Sequence, residues 1–165
     1  APQFVEARKK NWEILRRGLA SHEDVLEFGL PTHATSWDPE MGFSWDNTGC
    51  RSNCSWFGFK ISIKQGASFT RTELARCLDA NLIGNRMFFG GNLLRQPAFV
   101  QLCKENPEAI RVIDDLQGSD DIMNAAIFLG TYPGLTQSML DHEIAVIRNL
   151  CQQDRGITVS SSAFY

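Results

Sequence analysis

No apolar run in this 165-residue chain approaches the roughly 20 residues that cross a bilayer, and its amino terminus lacks the charged-then-apolar layout of a secretory signal. A membrane span is therefore not expected. Neither sign of charge is in large excess: 16 basic and 19 acidic residues leave −3 at pH 7. That balance gives no broad attraction for nucleic acid or for an anionic membrane, and neither is expected as a partner. Cysteine is too sparse for a disulfide framework. There are five, and Cys77, Cys103 and Cys151 fall in apolar helical patterns where a thiol behaves as a small hydrophobe; a reducing, cytoplasmic setting is expected. The three histidines, His22, His33 and His142, stand far apart, none beside a serine or cysteine in a nucleophile setting, so triad chemistry has no support. Lys9, Lys10, Lys60, Lys64 and Lys104 lie in polar or amphipathic contexts, unlike the desolvated setting a Schiff-base amine needs.

With 43% hydrophobic residues the chain has enough apolar surface for one core. Phe4, Val5, Trp12, Leu15 and Leu19 recur at helical spacing with basic residues between them, which predicts an amphipathic helix over Phe4 to Leu19. In WFGFKISI, Trp56 to Ile63, the residues Phe57, Phe59, Ile61 and Ile63 alternate as in a half-buried strand. Thr70 and Glu73 form a capping-box pattern, with Phe69 and Leu74 placed as a hydrophobic staple, and predict a helix from Arg71 to Asp79. A short helix is expected over Ala98 to Cys103, a short strand over Ile110 to Ile113, a helix over Asp120 to Ala126 and an extended segment over Ile127 to Tyr132. Thr136 is placed to cap a last helix whose inward stripe is Leu140, Ile144, Ile147 and Cys151. Strands separated by helices in one small unit predict an α/β (α+β) fold, a two-layer sandwich with a short sheet and helices on one face. Residues 1–154 are read as one domain and 155–165 as a disordered tail.

The clearest functional text is IGNRMFFGGNLLRQP, Ile83 to Pro97. Gly90-Gly91 permits backbone geometry that other residues resist, and Pro97 discourages regular hydrogen bonding beyond the polar cluster. Arg86, Asn92 and Arg95 are thereby expected to converge as substrate-binding groups. Guanidinium groups bond two phosphate oxygens at once, and an amide both donates and accepts toward a sugar hydroxyl. The competing reading is two surface salt bridges around a simple turn.

Between Gly29 and Ser55 the period is lost and Pro31, Pro39, Gly42 and Gly49 accumulate, which predicts a long loop. Cys50 and Cys54 are spaced as the start of a metal site, with His33 as the nearest further ligand, but a four-ligand set is lacking. Trp37, Phe43, Trp45 and Trp56 stand ready to stack on a ligand, to cover a neighbouring domain or to anchor the loop itself. Trp12, Trp37 and Trp45 are further expected to lose cover where this chain stands alone.

In order and spacing, SWFGF at Ser55 to Phe59, FTRTEL at Phe69 to Leu74, IGNR at Ile83 to Arg86, GGNLLRQPAF at Gly90 to Phe99, DIMN at Asp121 to Asn124 and GTYPGL at Gly130 to Leu135 resemble the carboxy-terminal part of the DegT/DnrJ/EryC1/StrS aminotransferase family. Within it, the CDP-4-dehydro-6-deoxyglucose 3-dehydratases are the nearer likeness. The resemblance implies the small domain of a fold-type-I enzyme dependent on pyridoxal or pyridoxamine phosphate, with a short, mainly antiparallel sheet. It implies a preceding large domain that holds most of the cofactor site, a nucleotide-sugar substrate and a cytoplasmic homodimer. The reaction implied is loss of the C3 hydroxyl of a nucleotide-linked 4-keto sugar, in deoxysugar and lipopolysaccharide biosynthesis. It also implies an iron-sulfur cluster in the dehydratase branch, not ligated by this chain. Catalytic, cofactor and metal residues are expected upstream, and this segment alone is expected to be inactive. A helix that begins almost at residue 1 agrees with an upstream part. The rival within the family is a sugar aminotransferase, told apart by an upstream lysine where the dehydratases carry histidine. A stand-alone binding module is the rival of another class.

Overall fold

In the first helix, α1 (Pro2–Leu19), Asn11, Trp12, Leu15 and Leu19 lie on one stripe and are buried together. The computed structural model describes residues 2–31, 34–45 and 58–154. The stripe meets the core only from the third turn onward, so Phe4, expected within it, is 56% exposed. A four-stranded antiparallel sheet forms from β1 (Leu26–Phe28), β4 (Gly58–Ile63), β5 (Asn85–Met87) and β6 (Ala126–Gly130), in the order β1-β4-β6-β5. Its register sets Phe59 opposite Leu129, Ile61 opposite Ile127 and Leu26 opposite Ile63. Strand side chains alternate between faces, so these six share one face, and there α1, α2 (Arg71–Ala80) and α5 (Gln137–Asp154) close the core. The expected two layers are thus present.

Both capped helices form as their sequences predict. The Thr70 backbone amide donates to Glu73 Oε2 at 2.7 Å while the Glu73 amide donates to Thr70 Oγ1. The Thr70 amide first, and then its hydroxyl, which donates to Glu73 Oε2 at 2.8 Å, hold the Glu73 carboxyl below its usual range. Thr136 Oγ1 accepts from the Met139 amide at 3.3 Å, and Leu140, Ile144, Ile147 and Cys151 of α5 are all buried.

Three expectations are corrected. The stretch expected as loop holds a hairpin, β2 (Ala34–Asp38) and β3 (Gly42–Trp45). A register shift between Ala34 and Ser36 breaks its alternation in the sequence. Its turn is built by Asp38 Oδ1, which accepts from the Glu40 and Met41 amides at 2.8 Å each, and by Gly42 at φ 77°. Ile110 to Ile113 form no strand and pair with none of the sheet's strands. Trp12 is fully buried, not uncovered: its ring meets Trp37 at 5.6 Å, Phe43 at 4.9 Å and Phe59 at 5.5 Å. The hairpin thereby serves as a lid over α1, and the aromatics Trp37 and Phe43 anchor it. The expected tail, His33, the Cys50 and Cys54 pair and Trp56 lie outside the described residues.

Two short helices complete the chain. Pro97 occupies the first turn of α3 (Pro97–Glu105), where its missing amide costs nothing. The other, α4 (Gln117–Ala125), runs directly into β6.

Candidate functional site on the open face of the sheet

Opposite the helical layer, the sheet presents Glu27, Lys60, Ser62, Arg86 and Phe128, the alternate residues of its four strands. Strand β5 is oriented by Asn85, whose Nδ2 donates to Asp79 Oδ1 at 2.8 Å and so points back toward α2. Its neighbour Arg86 then falls on the open face, directly across from Phe128. Phe88 and Phe89 extend this aromatic bed, with ring centroids 6.0 and 6.4 Å from that of Phe128.

The chain turns sharply after Phe89. Gly91 has φ 61°, and a Cβ there would lie 2.5 Å from Met123 Cβ; both conformation and space restrict the position to glycine. Gln96 Nε2 donates to the Gly90 carbonyl at 3.0 Å and closes the turn. Asn92 Oδ1 accepts from the Leu94 amide at 3.0 Å, capping a 3₁₀ turn over Leu93–Arg95.

The turn is fastened to α4 through Asp120. Asn92 Nδ2 donates to Asp120 Oδ1 at 2.8 Å, Arg95 Nε to the same oxygen at 3.2 Å, and Arg95 Nη2 to Oδ2 at 2.9 Å. Arg95 first, then Asn92, holds the Asp120 carboxyl below its usual range, and the same pairing raises Arg95. Asn92 and Arg95 therefore meet as the sequence predicts, through a residue that the sequence reading did not single out. Arg86 does not join them; it donates to the carbonyl of Asn85 at 3.4 Å. Asn92 is only 4% exposed, with both ends of its amide engaged. Arg95 stays largely in solvent, with Nη1 in no hydrogen bond among the described residues. Asp120 sits beside Asp121 in the sequence, and spacing alone does not tell which of the two reaches back across 28 residues to Asn92.

Beside this bed, α4 and the strands β1 and β4 enclose a cavity of about 690 Å³, walled by Glu27, Lys60, Ser62 and Asp121 among others. The open face thus combines guanidinium and ammonium groups, a hydroxyl, two carboxylates and an aromatic surface. That set suits an anion joined to a polyhydroxylated or planar group.

Similarity to known proteins runs along most of the chain. The model of the DegT/DnrJ/EryC1/StrS aminotransferase family matches residues 1–148. The chain is 38% identical over 143 residues to the lipopolysaccharide biosynthesis protein RfbH of Salmonella typhimurium, covering 87% of this chain and 28% of that protein. It is 36% identical over 144 residues to a dTDP-4-dehydro-2,6-dideoxy-D-glucose 3-dehydratase of Saccharopolyspora spinosa, covering 87% and 26%. The chain therefore spans little more than a quarter of the length of these relatives. Among solved structures, the Escherichia coli GDP-4-keto-6-deoxy-D-mannose-3-dehydratase with bound hydrated PLP superposes with a TM-score of 0.64 at 21% identity, over 88% of this chain and 31% of that one. An aminotransferase from Psychrobacter cryohalolentis reaches 0.67 at 11% identity, over 93% and 36%. These two likenesses speak for the fold.

Proposed function

Because the chain belongs to the DegT/DnrJ/EryC1/StrS aminotransferase family, we propose that it is the small domain of a nucleotide-sugar 3-dehydratase acting in deoxysugar and lipopolysaccharide biosynthesis. The observation that carries this reading is the identity it shares, along most of its length, with the Salmonella and Saccharopolyspora proteins. In this reading the full-length protein works as a cytoplasmic homodimer.

Pyridoxal or pyridoxamine phosphate supplies such an enzyme with its electron sink. We assign it no site on this segment. All five lysines are exposed or partly exposed; Lys9 pairs with Glu6 at 3.1 Å, Lys64 donates to the Glu23 carbonyl at 2.6 Å, and the stem of Lys60 lies along Gly29. The cofactor is assigned to the rest of the full-length protein, as is the iron-sulfur cluster of the dehydratase branch. Pyridoxal phosphate added to the 165-residue chain and reduced with borohydride is expected to label no single lysine in preference to the others, as mass spectrometry will read. A single labelled lysine accompanied by turnover would place the cofactor site here.

The part left to this segment is the substrate side. Arg86 and Arg95 bind the diphosphate of the nucleotide sugar, and Asn92, held by Asp120, fixes the turn that carries Arg95. In the full-length enzyme with CDP-4-dehydro-6-deoxyglucose, Arg86→Ala and Arg95→Ala are each expected to lower kcat/KM roughly ten- to a hundredfold. Melting temperature should change little, and Arg111→Ala, outside the segment, should change neither quantity. A loss no larger than that of Arg111→Ala would reduce both arginines to surface charges. Release of an amino sugar in place of a 3-deoxy product would turn the reading to an aminotransferase.

A further inference from the structure

A cavity of about 350 Å³ lies between the turn after α2, the end of β6 and the start of α5, built from none of the open-face residues above. Its walls include Ile83, Leu135 and Met139, and amid them stands a carboxylate, Glu143. Glu143 is 8% exposed, and its Oε2 is shielded from solvent without a hydrogen-bond partner. Buried carboxylates are ordinarily paired or hydrogen-bonded, because removing the charge from water is costly. Here burial raises the pKa from 4.5 to about 7, with His142 acting in the opposite direction.

The basic group on the cavity wall beside Glu143 is His142. Among the described residues, no lysine or arginine walls the cavity. His142 directs Nε2 to the Asn81 carbonyl at 3.1 Å. From α1 comes the neutral Asn11, whose Nδ2 donates to the Thr131 and Tyr132 carbonyls at 3.3 and 3.0 Å. On α2, Asp79 is taken by Asn85. The rim carries a second anomaly: Leu82 is 96% exposed and has φ 60°, a left-handed conformation that a branched apolar residue adopts at a cost.

We propose that this cavity is a binding site for an organic monocation, a primary ammonium or guanidinium on a short apolar stem, with Glu143 as its counter-ion. The volume falls at the small end of ligand pockets, roughly 300–1,000 Å³, and suits a stem of a few carbons. The cationic head supplies the donors that Glu143 lacks, Tyr132 offers an aromatic face beside it, and Ile83, Leu135 and Met139 take the stem. An anion would meet the carboxylate, and a neutral apolar guest would leave its desolvation unrelieved. The assignment does not depend on the sugar chemistry above.

The test is a titration of the whole chain with n-butylammonium, following the Glu143 side-chain carboxyl resonance in 13C-labelled protein, with n-butanol as the uncharged analogue. A saturable, millimolar interaction is expected at pH 8, weakened roughly tenfold or more at pH 5.5, where Glu143 is protonated. Glu143→Gln should abolish it, as read by the thermal shift that butylammonium produces, and Glu108→Gln, at an exposed turn, should leave it unchanged. Met139→Lys, one turn before Glu143 in α5, supplies a tethered ammonium; it should raise the melting temperature and block butylammonium even if Glu143→Gln does not fold. Acetyl-Leu-Lys-Leu-amide run in parallel identifies the source: tighter binding than butylammonium points to a polypeptide side chain, weaker binding to a free amine. Equal affinity for butanol, binding that survives Glu143→Gln, or no saturation by either cation would overturn the proposal.

Discussion

Replacing Trp12 with alanine should cost about 3–5 kcal/mol of stability, the range for deleting a large aromatic from a packed interior. Trp12 is the common neighbour of three rings that belong to different layers: Trp37 and Phe43 of the hairpin and Phe59 of the central strand β4. Its removal leaves a void that neither sheet can fill, because β4 is held in register by β1 and β6 on its two sides. The hairpin should loosen first, since Trp37 and Phe43 are its apolar link to α1, beside polar ties such as the 2.8 Å bond from Arg17 to the Pro39 carbonyl. Trp12→Phe should cost far less, as it also removes an indole Nε1 that is buried without a partner. Urea unfolding followed by circular dichroism, with hydrogen exchange at residues 34–45, measures both effects. A loss near 1 kcal/mol for the alanine variant would mean that the hairpin collapses onto the gap and that the stacked rings carry little of the stability.

The second large effect is a dependence on pH. The pKa of Glu143 is raised in the folded state from 4.5 to about 7. Between those values the native protein binds more protons than the unfolded chain, so this group makes stability fall as pH rises. At 1.36 kcal/mol per unit the shift corresponds to about 3.4 kcal/mol, and solvent entering the cavity mouth screens part of it, leaving about 2 kcal/mol. Glu143→Gln has no charge to desolvate. Its stability relative to the natural chain should therefore increase by about 2 kcal/mol between pH 4.5 and pH 8 and level off above that. Urea midpoints across the range settle the matter; parallel curves would mean that the carboxylate is solvated or neutralised by some other route.

The periodic elements were legible in the sequence because their signals are local. The stripe of α1 beyond its first turns, both capped helices and the alternation of Phe59 and Ile61 each depend on spacings within a few residues. Strands β1 and β5 have three residues each, too few for a period to register. The hairpin was hidden by its own bulge and by an Asp-Pro turn that reads as loop. Ile110 to Ile113 show the opposite failure: an apolar run in a strand-like composition becomes a strand only where another strand pairs with it, and none of the described strands does. At the candidate site, the glycine turn and the convergence of Asn92 with Arg95 follow from the text between Ile83 and Pro97. Asp120 and Glu143 do not, because their roles arise from folding rather than spacing: one is met across the chain, the other is sealed off by its neighbours.

The first and last helices meet closely at Gly18, where an added Cβ would come within 2.4 Å of Ile144 Cδ1, and Arg148 Nε seals the contact with a 2.7 Å bond to the Gly18 carbonyl 130 residues away. On the ribosome, α1 emerges long before the helix that covers it. At about 5–20 residues per second, Leu15 and Leu19 wait on the order of ten seconds for α5. The intervening hairpin covers Trp12 earlier, through Trp37 and Phe43, but it does not replace the contact at Gly18. The packing of α1 against α5 therefore closes late, and a chain stopped short of α5 leaves Leu15 and Leu19 without that cover.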